Sequence, residues 1–361
     1  MSVREIRRHE SAGRARGERV LARALVAALG VAALASRCEE REELPPPPHD
    51  VVLYNWEAYT DLPSLARFEK EKGFHVVLKE YGTTDEALAQ LQTNPGAFDV
   101  ILSDGENAPL LRDTRLAAPL DLSKIPNAAL VDVRLRDGAA YAIPFQGGVA
   151  GLAVNTAMVH DPEIRWSTLL DPRYRGRIAM LDDMREVTDA LAMIAGADIG
   201  PRADLRALRD VGAQLVENEI SFGDTFDNLA SLLAGEKWIV MTYNGDYVSR
   251  VRSRPDLRFA LPAEGYRVEY DSFFVSADAQ NPEAAHALID FFLRPEIAAR
   301  WSNEFGFTAT VRGASRFFDR RLFADPIASP PFGGPKARVA EYLGDLTPRY
   351  EQLYHQLRRG D

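Results

Sequence analysis

The chain has 361 residues, 46% hydrophobic and 27% charged, with a formal net charge of −10. That balance argues against a nucleic-acid partner and is compatible with either a cationic solute or plain solubility. The length is enough for two domains, and a single cysteine excludes an internal disulfide.

The first 37 residues carry eight arginines against three glutamates, a net of +5, which leaves about −15 for the rest. The apolar run Ala24–Ala35 follows, then Ser36, Arg37 and Cys38. A basic start and a short apolar run make a secretory signal over residues 1–37, and the run is shorter than the ~20 residues of a membrane span. Cys38 stands where a bacterial lipoprotein is acylated, although Arg37 takes the place of a small residue; the alternative is plain cleavage. Residues 38–49 hold acids and four prolines, a semi-rigid spacer with no means of packing a core.

The folded body begins near Asp50. Val51–Tyr54 is a short β-branched and aromatic run, read as a buried strand. It breaks into Asn55-Trp56-Glu57-Ala58-Tyr59, and a helix starts from Thr60 or Asp61 with Pro63 in its first turn. Ligands of open α/β sheets lie beyond the carboxyl ends of strands, where this stretch falls. Trp56 and Tyr59 are therefore either ligand-facing or core aromatics at helical spacing. A second strand is expected over 73–81, a helix over 84–93 capped by Thr84 or Asp85, and a third strand over 98–102 leading to Ser103-Asp104-Gly105. Helix is expected over 108–116. Residues 139–155 read as a long extended run broken by Gly147, Gly148 and Gly151, either an inter-domain crossover or a bulge.

The alternation then repeats. A short helix is expected over 166–170, a strand over 177–181 ending at Asp182-Asp183, and helices over 185–195 and 204–217. A short strand (220–222), a helix (226–234) and a clear strand (238–243) lead to Asn244-Gly245-Asp246. Strands over 259–262 and 270–275 and helices over 282–292 and 295–305 complete the pattern. Buried strands alternating with helices define an α/β protein with mostly parallel sheets.

Phosphate-loop, dinucleotide-binding and nucleophile-elbow motifs are absent from the sequence, and the six histidines lack metal-ligand spacing. What recurs at strand ends is acids and aromatics: Trp56, Glu57 and Tyr59; Asp104; Asp183 and Glu186; Tyr243 and Asp246; Glu269, Tyr270 and Asp271. Paired carboxylates serve as general acid and base, or as counter-charges to a cationic ligand. Aromatic rings beside them favour the second, because a ring face attracts ammonium and covers methylenes. For any one acid, and for Asp182 or Asp183 above all, a helix N-cap is the simpler role.

From Val51 to Thr310 the chain resembles the polyamine-binding (spermidine/putrescine) solute receptors of bacterial ABC transporters. The resemblance rests on LYNWEAY (53–59), FDVILSD (98–104), YAIPFQGGVAGLAVN (141–155), WSTLLDPRYRG (166–176), LDDMREV (181–187), YNGDY (243–247), YDSFFV (270–275) and FLRPEIA (292–298) taken together. It implies a two-lobed, type II periplasmic-binding fold with a hinge and an inter-lobe cleft. Lobe one would be 50–145 with 266–311, and lobe two 146–265 with 312–361. It carries ligand-binding roles onto Trp56, Tyr59, Ser103, Asp183, Glu186, Tyr243 and Asp271. The family's acid before the tyrosine of the first motif is Ala58 here, with Glu57 one place early. An aromatic two before the key aspartate is Glu269, with Tyr270 adjacent; Gly105 and Phe307 replace tyrosines. The resemblance further implies a monomeric periplasmic receptor that engages permease subunits, touches the membrane only through a lipid anchor and uses no cofactor or metal. Two alternatives remain at this point: a ligand-sensing lipoprotein that signals to a membrane partner, and a secreted hydrolase built on a carboxylate pair.

Overall fold

The computed structural model describes residues 50–132, 135, 140–251, 253–324, 326–330 and 332–360. The leader, Cys38 and the proline-rich spacer lie outside the described residues. In chain order the elements begin with strand β1 (Asp50–Trp56), helix α1 (Leu62–Lys72), β2 (His75–Tyr81), α2 (Thr84–Thr93), β3 (Val100–Asp104), α3 (Ala108–Asp113) and β4 (Ala117–Ala118). There follow β5 (Ile143–Asn155), β6 (Ile178–Leu181), α4 (Met184–Ile194), α5 (Leu205–Glu217), β7 (Ser221–Gly223), α6 (Thr225–Leu233), β8 (Ile239–Tyr243), α7 (Asn244–Arg250) and β9 (Leu257–Ala260). The chain closes with β10 (Tyr266–Ser276), α8 (Pro282–Phe292), α9 (Pro295–Phe305), β11 (Thr308–Ala309), β12 (Ala337–Val339) and α10 (Thr347–Arg359).

Several boundaries differ from expectation for local reasons. Helix α2 is capped by Thr83, whose hydroxyl accepts the Glu86 N–H at 3.2 Å, rather than by Thr84 or Asp85. Helix α3 stops at Asp113, because Arg115 takes a φ of 59° in the left-handed region that ends a helix. Residues 166–170 form a 3₁₀ turn, too short for an α-helix. Strand β10 starts at Tyr266, four residues earlier than the sequence pattern, and this shift matters for the site. Helix α10 was not anticipated, although Tyr350, Leu353, Tyr354 and Leu357 mark one buried helical face.

The strands run in the order β2-β1-β3-β10-β5-β8-β6-β7, with β4 and β12 against β10 and β9 and β11 against β5. β1, β2 and β3 are parallel, as are β6, β7 and β8, while β10 is antiparallel to β3 and β5 and parallel to β12, and β5 is antiparallel to β8. This is the mixed α/β, two-lobed arrangement. Strand β5 joins the halves: Ile143–Val149 pairs with β10, and Ala150–Val154 pairs with β8. The Gly-rich run is thus a crossover strand. Glycine is required at 151, where an added Cβ would come within 2.7 Å of the Ala260 carbonyl oxygen.

Each half has its own core. Trp301, Phe145, Phe292, Phe273 and Leu53 centre the first, and α1, α8 and α9 cover it. Trp166, Met180, Leu191, Leu208 and Tyr350 belong to the second, where α10 packs on α4 and α5. The Trp166 indole N–H donates to the Gly265 carbonyl at 2.9 Å, which ties the segment before β10 to the second half.

Candidate functional site

Carboxyl ends of β1, β3, β6 and β8 deliver side chains to one region, and β10 runs through it. Strand period two puts Arg267, Glu269 and Asp271 on one face of β10. Across the ladder Asp271 stands directly opposite Asp104 of β3. Like charges so placed repel, an arrangement that costs stability unless a cation or a proton intervenes. Neither carboxylate has an ion-pair partner among the described residues, and Asp104 accepts only the Thr84 hydroxyl at 3.1 Å. Burial pushes Asp271 up to about 7, Glu269 adding to the effect, while Tyr59 and Trp56 beside it pull the other way. Asp104 is raised by burial and by the charges of Glu269, Asp271 and Glu106.

Aromatics wall this end. Trp56 packs on Tyr81 with ring centroids 4.5 Å apart, and Tyr59 stands edge-on to Phe307 at 5.8 Å and to Trp301 at 5.7 Å. The Trp56 indole nitrogen and the Tyr59 hydroxyl are both buried and lie toward the Asp271 carboxylate, without a hydrogen bond of good geometry to any group among the described residues. The Tyr59 ring belongs to the core, and its hydroxyl lies by Asp271. Between them Ala58 takes a φ of 55°, a conformation disfavoured for a side-chain-bearing residue. Asp246, at the start of α7, is raised by burial to about 6 and lies near enough to Tyr59 to raise its pKa.

From the second half come α4 and the end of β8. Asp183 caps α4, accepting the Glu186 N–H at 2.9 Å, so the simple capping role is real. Its charge also raises Glu269, Glu186 and Tyr243, which places all four in one field. Glu186 is buried and raised chiefly by burial.

Three expected residues stand apart. Glu57 is exposed, and its carboxylate makes no hydrogen bond or ion pair among the described residues; the turn at Ala58 sends it to solvent. Ser103 is buried beside the Tyr81 hydroxyl, and its neighbour Asp104 is the group opposite Asp271. Tyr270 alternates with Glu269 and Asp271 and so lies on the other face of β10, its ring 5.7 Å from Phe332. A cavity of about 150 Å³ opens on that face, lined by Pro144, Val268, Tyr270, Ser272 and Ala340, and it reaches Asp104, Glu106 and Glu269 at one side. The acids and aromatics lie mainly on the opposite face.

The sequence reading missed Arg267. It is 4% exposed. Its guanidinium donates to Glu186 at 2.5 Å, Glu269 at 2.6 Å and Glu106 at 2.7 Å, with Asp189 3.3 Å from Nε. Burial opposes its charge, yet Glu106, Glu186, Glu269 and Asp189 more than offset that and hold its pKa above the usual arginine range. Arg185 extends the network, 3.0 Å from Glu106 and 3.3 Å from Asp189. Period two back from Asp271 through Glu269 reaches Arg267, and helical spacing puts Arg185, Glu186 and Asp189 together. These signals needed β10 to be read four residues longer.

A two-lobed α/β body with an acid- and aromatic-lined site at the lobe junction is the architecture of a solute receptor. Residues 64–319 match the bacterial extracellular solute-binding protein family, and the chain belongs to it. That is a family of receptors, not of enzymes. The chain is 27% identical over 328 residues to the spermidine/putrescine-binding periplasmic protein of Salmonella typhimurium, covering 86% of this chain and 92% of the relative. The Escherichia coli K12 protein of the same description matches at the same identity and coverage. Among solved structures, the spermidine/putrescine ABC transporter substrate-binding protein of Streptococcus pneumoniae superposes with a TM-score of 0.76 at 21% identity, over 86% of this chain and 99% of that one. Among the described residues no helix is long and apolar enough to cross a membrane.

Proposed function

We propose that this receptor captures a polyamine or related cationic amine between its lobes and presents it to the permease subunits of an ABC importer. The observation that carries the reading is the buried pair Asp271 and Asp104, which has no ion-pair partner among the described residues and is walled by Trp56 and Tyr59, with Asp183 and Tyr243 of the other half beside the neighbouring Glu269. A charge-assisted hydrogen bond contributes about 1.5–3 kcal/mol and each buried methylene about 0.8. Two such contacts and four methylenes approach the ~8 kcal/mol of micromolar binding before ordering costs. The relatives' names as spermidine/putrescine-binding proteins agree; the sensor alternative finds no support among them.

The lobes are taken as 50–145 with 266–311 and 146–265 with 312–361. The change of partner along β5 at Val149 and Ala150, and the packing of α10 in the second core, support that division. A thermal-shift panel of putrescine, cadaverine, spermidine, spermine and agmatine, with neutral alcohols as controls, tests the function. Stabilisation by at least one amine and by no alcohol is expected. A panel in which no amine raises the melting temperature would rule the reading out.

A further inference from the structure

The cation that Glu269 meets is the chain's own. We infer that Arg267 fills one acidic end of the cleft from within, so that the receptor holds a single ligand cation, at the Asp271–Asp104 end. The inference rests on the proposed amine-binding function and narrows its ligand class to amines recognised through one charged terminus.

Two ends of the site differ in what their acids touch. At one end Glu106, Glu186 and Glu269 each bond the Arg267 guanidinium, and Arg185 takes up Glu106 and Asp189 as well. Guanidinium offers N–H donors in a planar fork, and here its two terminal nitrogens donate to carboxylates from three separate elements. Glu106 follows β3 in the first half, Glu186 sits on α4 in the second, and Glu269 shares the strand with Arg267. A second ammonium arriving from solution would have to displace a tethered cation already desolvated and fourfold paired. At the other end Asp271 and Asp104 face one another, and among the described residues no basic side chain is bonded to either, although the Arg267 charge is felt at Asp104. That end still wants a cation. The aromatic cover, Trp56, Tyr59 and Phe307, is also at that end.

Charge bookkeeping for a mobile ligand agrees. A fixed internal cation has met its ordering cost in folding, so ligand binding energy is not spent twice on the same acids. The second charge of a diamine then contributes little, and a longer polyamine adds unpaired ammonium groups that would have to remain solvated.

The test compares 1-aminobutane, putrescine and spermidine by calorimetry on the wild type, Arg267→Met and Arg267→Lys. Putrescine should bind the wild type within about threefold of 1-aminobutane. Arg267→Met keeps apolar bulk and removes the charge, so it should raise the putrescine-to-aminobutane affinity ratio by about tenfold or more, with spermidine following putrescine. Arg267→Lys should keep the wild-type ratio. A wild type that already prefers putrescine by more than about tenfold, or an Arg267→Met ratio equal to wild type, overturns the inference and leaves the amine-binding function standing. If neither protein binds any amine, the function itself fails and the inference goes with it. Should Arg267→Met not fold, the wild-type ratio alone decides.

Discussion

Burial, with the neighbouring charge of Glu269, brings Asp271 to about 7, so near neutral pH the free receptor divides between its acid and carboxylate forms. A cationic ligand binds the carboxylate and therefore expels the proton. The sign follows: amine affinity should fall as pH drops below about 7, while the amine itself stays charged throughout. For a single group of that pKa the loss is about tenfold between pH 8 and pH 6. Calorimetry on wild type and Asp271→Asn checks it. The variant should lose about 2–5 kcal/mol of binding, because the ligand charge is left under-paired, and most of the pH slope with it. An affinity within about threefold of wild type would remove Asp271 from the site. Individual side chains divide between what sequence shows and what it hides. Asp271, Glu269, Asp183, Glu186, Trp56, Tyr59 and Tyr243 were legible as acids and rings at strand ends. Glu57 was legible in the same way, but its exposure was not, because it sits in the turn at Ala58, whose φ of 55° no composition reveals. Tyr270 lies on the other face of β10 from its two acidic neighbours, because residues adjacent on a strand face opposite ways.

At the scale of elements, the joint between the lobes is the crossover strand β5 together with the return through 261–265 into β10. With the passage from residue 311 into the C-terminal segment these make three connections, and because each lobe keeps its own core, rotation about them leaves the packing of each core intact. Ligand that touches both sides should shift the population toward the closed form. Small-angle scattering should then show a smaller radius of gyration at saturating amine than without it. An unchanged radius at saturation counts against hinge closure. Most elements were readable because buried β-branched runs and capped amphipathic stretches alternate with few ambiguities; helices α8 and α9 have the bounds expected. The misses fall where tertiary contact extends an element beyond its own pattern. Tyr266–Glu269 is strand because β5 and β12 pair with it, not because its residues alone favour extension.

For the whole molecule, the question is where the receptor works. The basic start, the apolar run and Cys38 lead to a membrane-tethered, exported protein, and we expect acylation at Cys38. Detergent partitioning of wild type and Cys38→Ala checks this: wild type should enter the detergent phase and the variant should not. Both proteins in the aqueous phase would leave cleavage and release in its place. The overall fold was the most legible level, since alternating units and a Gly-rich crossover point to two linked α/β lobes without any single residue being decisive. The electrostatic content of the cleft was the least legible, because net charge cannot show which acids already hold a cation.

The alternation of Arg267, Glu269 and Asp271 along one strand has an evolutionary consequence. Three residues within a five-residue stretch set how many charges the cleft presents, while the opposite face of the same strand maintains the packing through Tyr266, Val268 and Tyr270. Ligand range and foldability are thus encoded at interleaved positions. Single codon changes at the odd-numbered sites would alter the charge of the cleft without touching the apolar face, at a cost in stability wherever they strip a buried partner from Arg267.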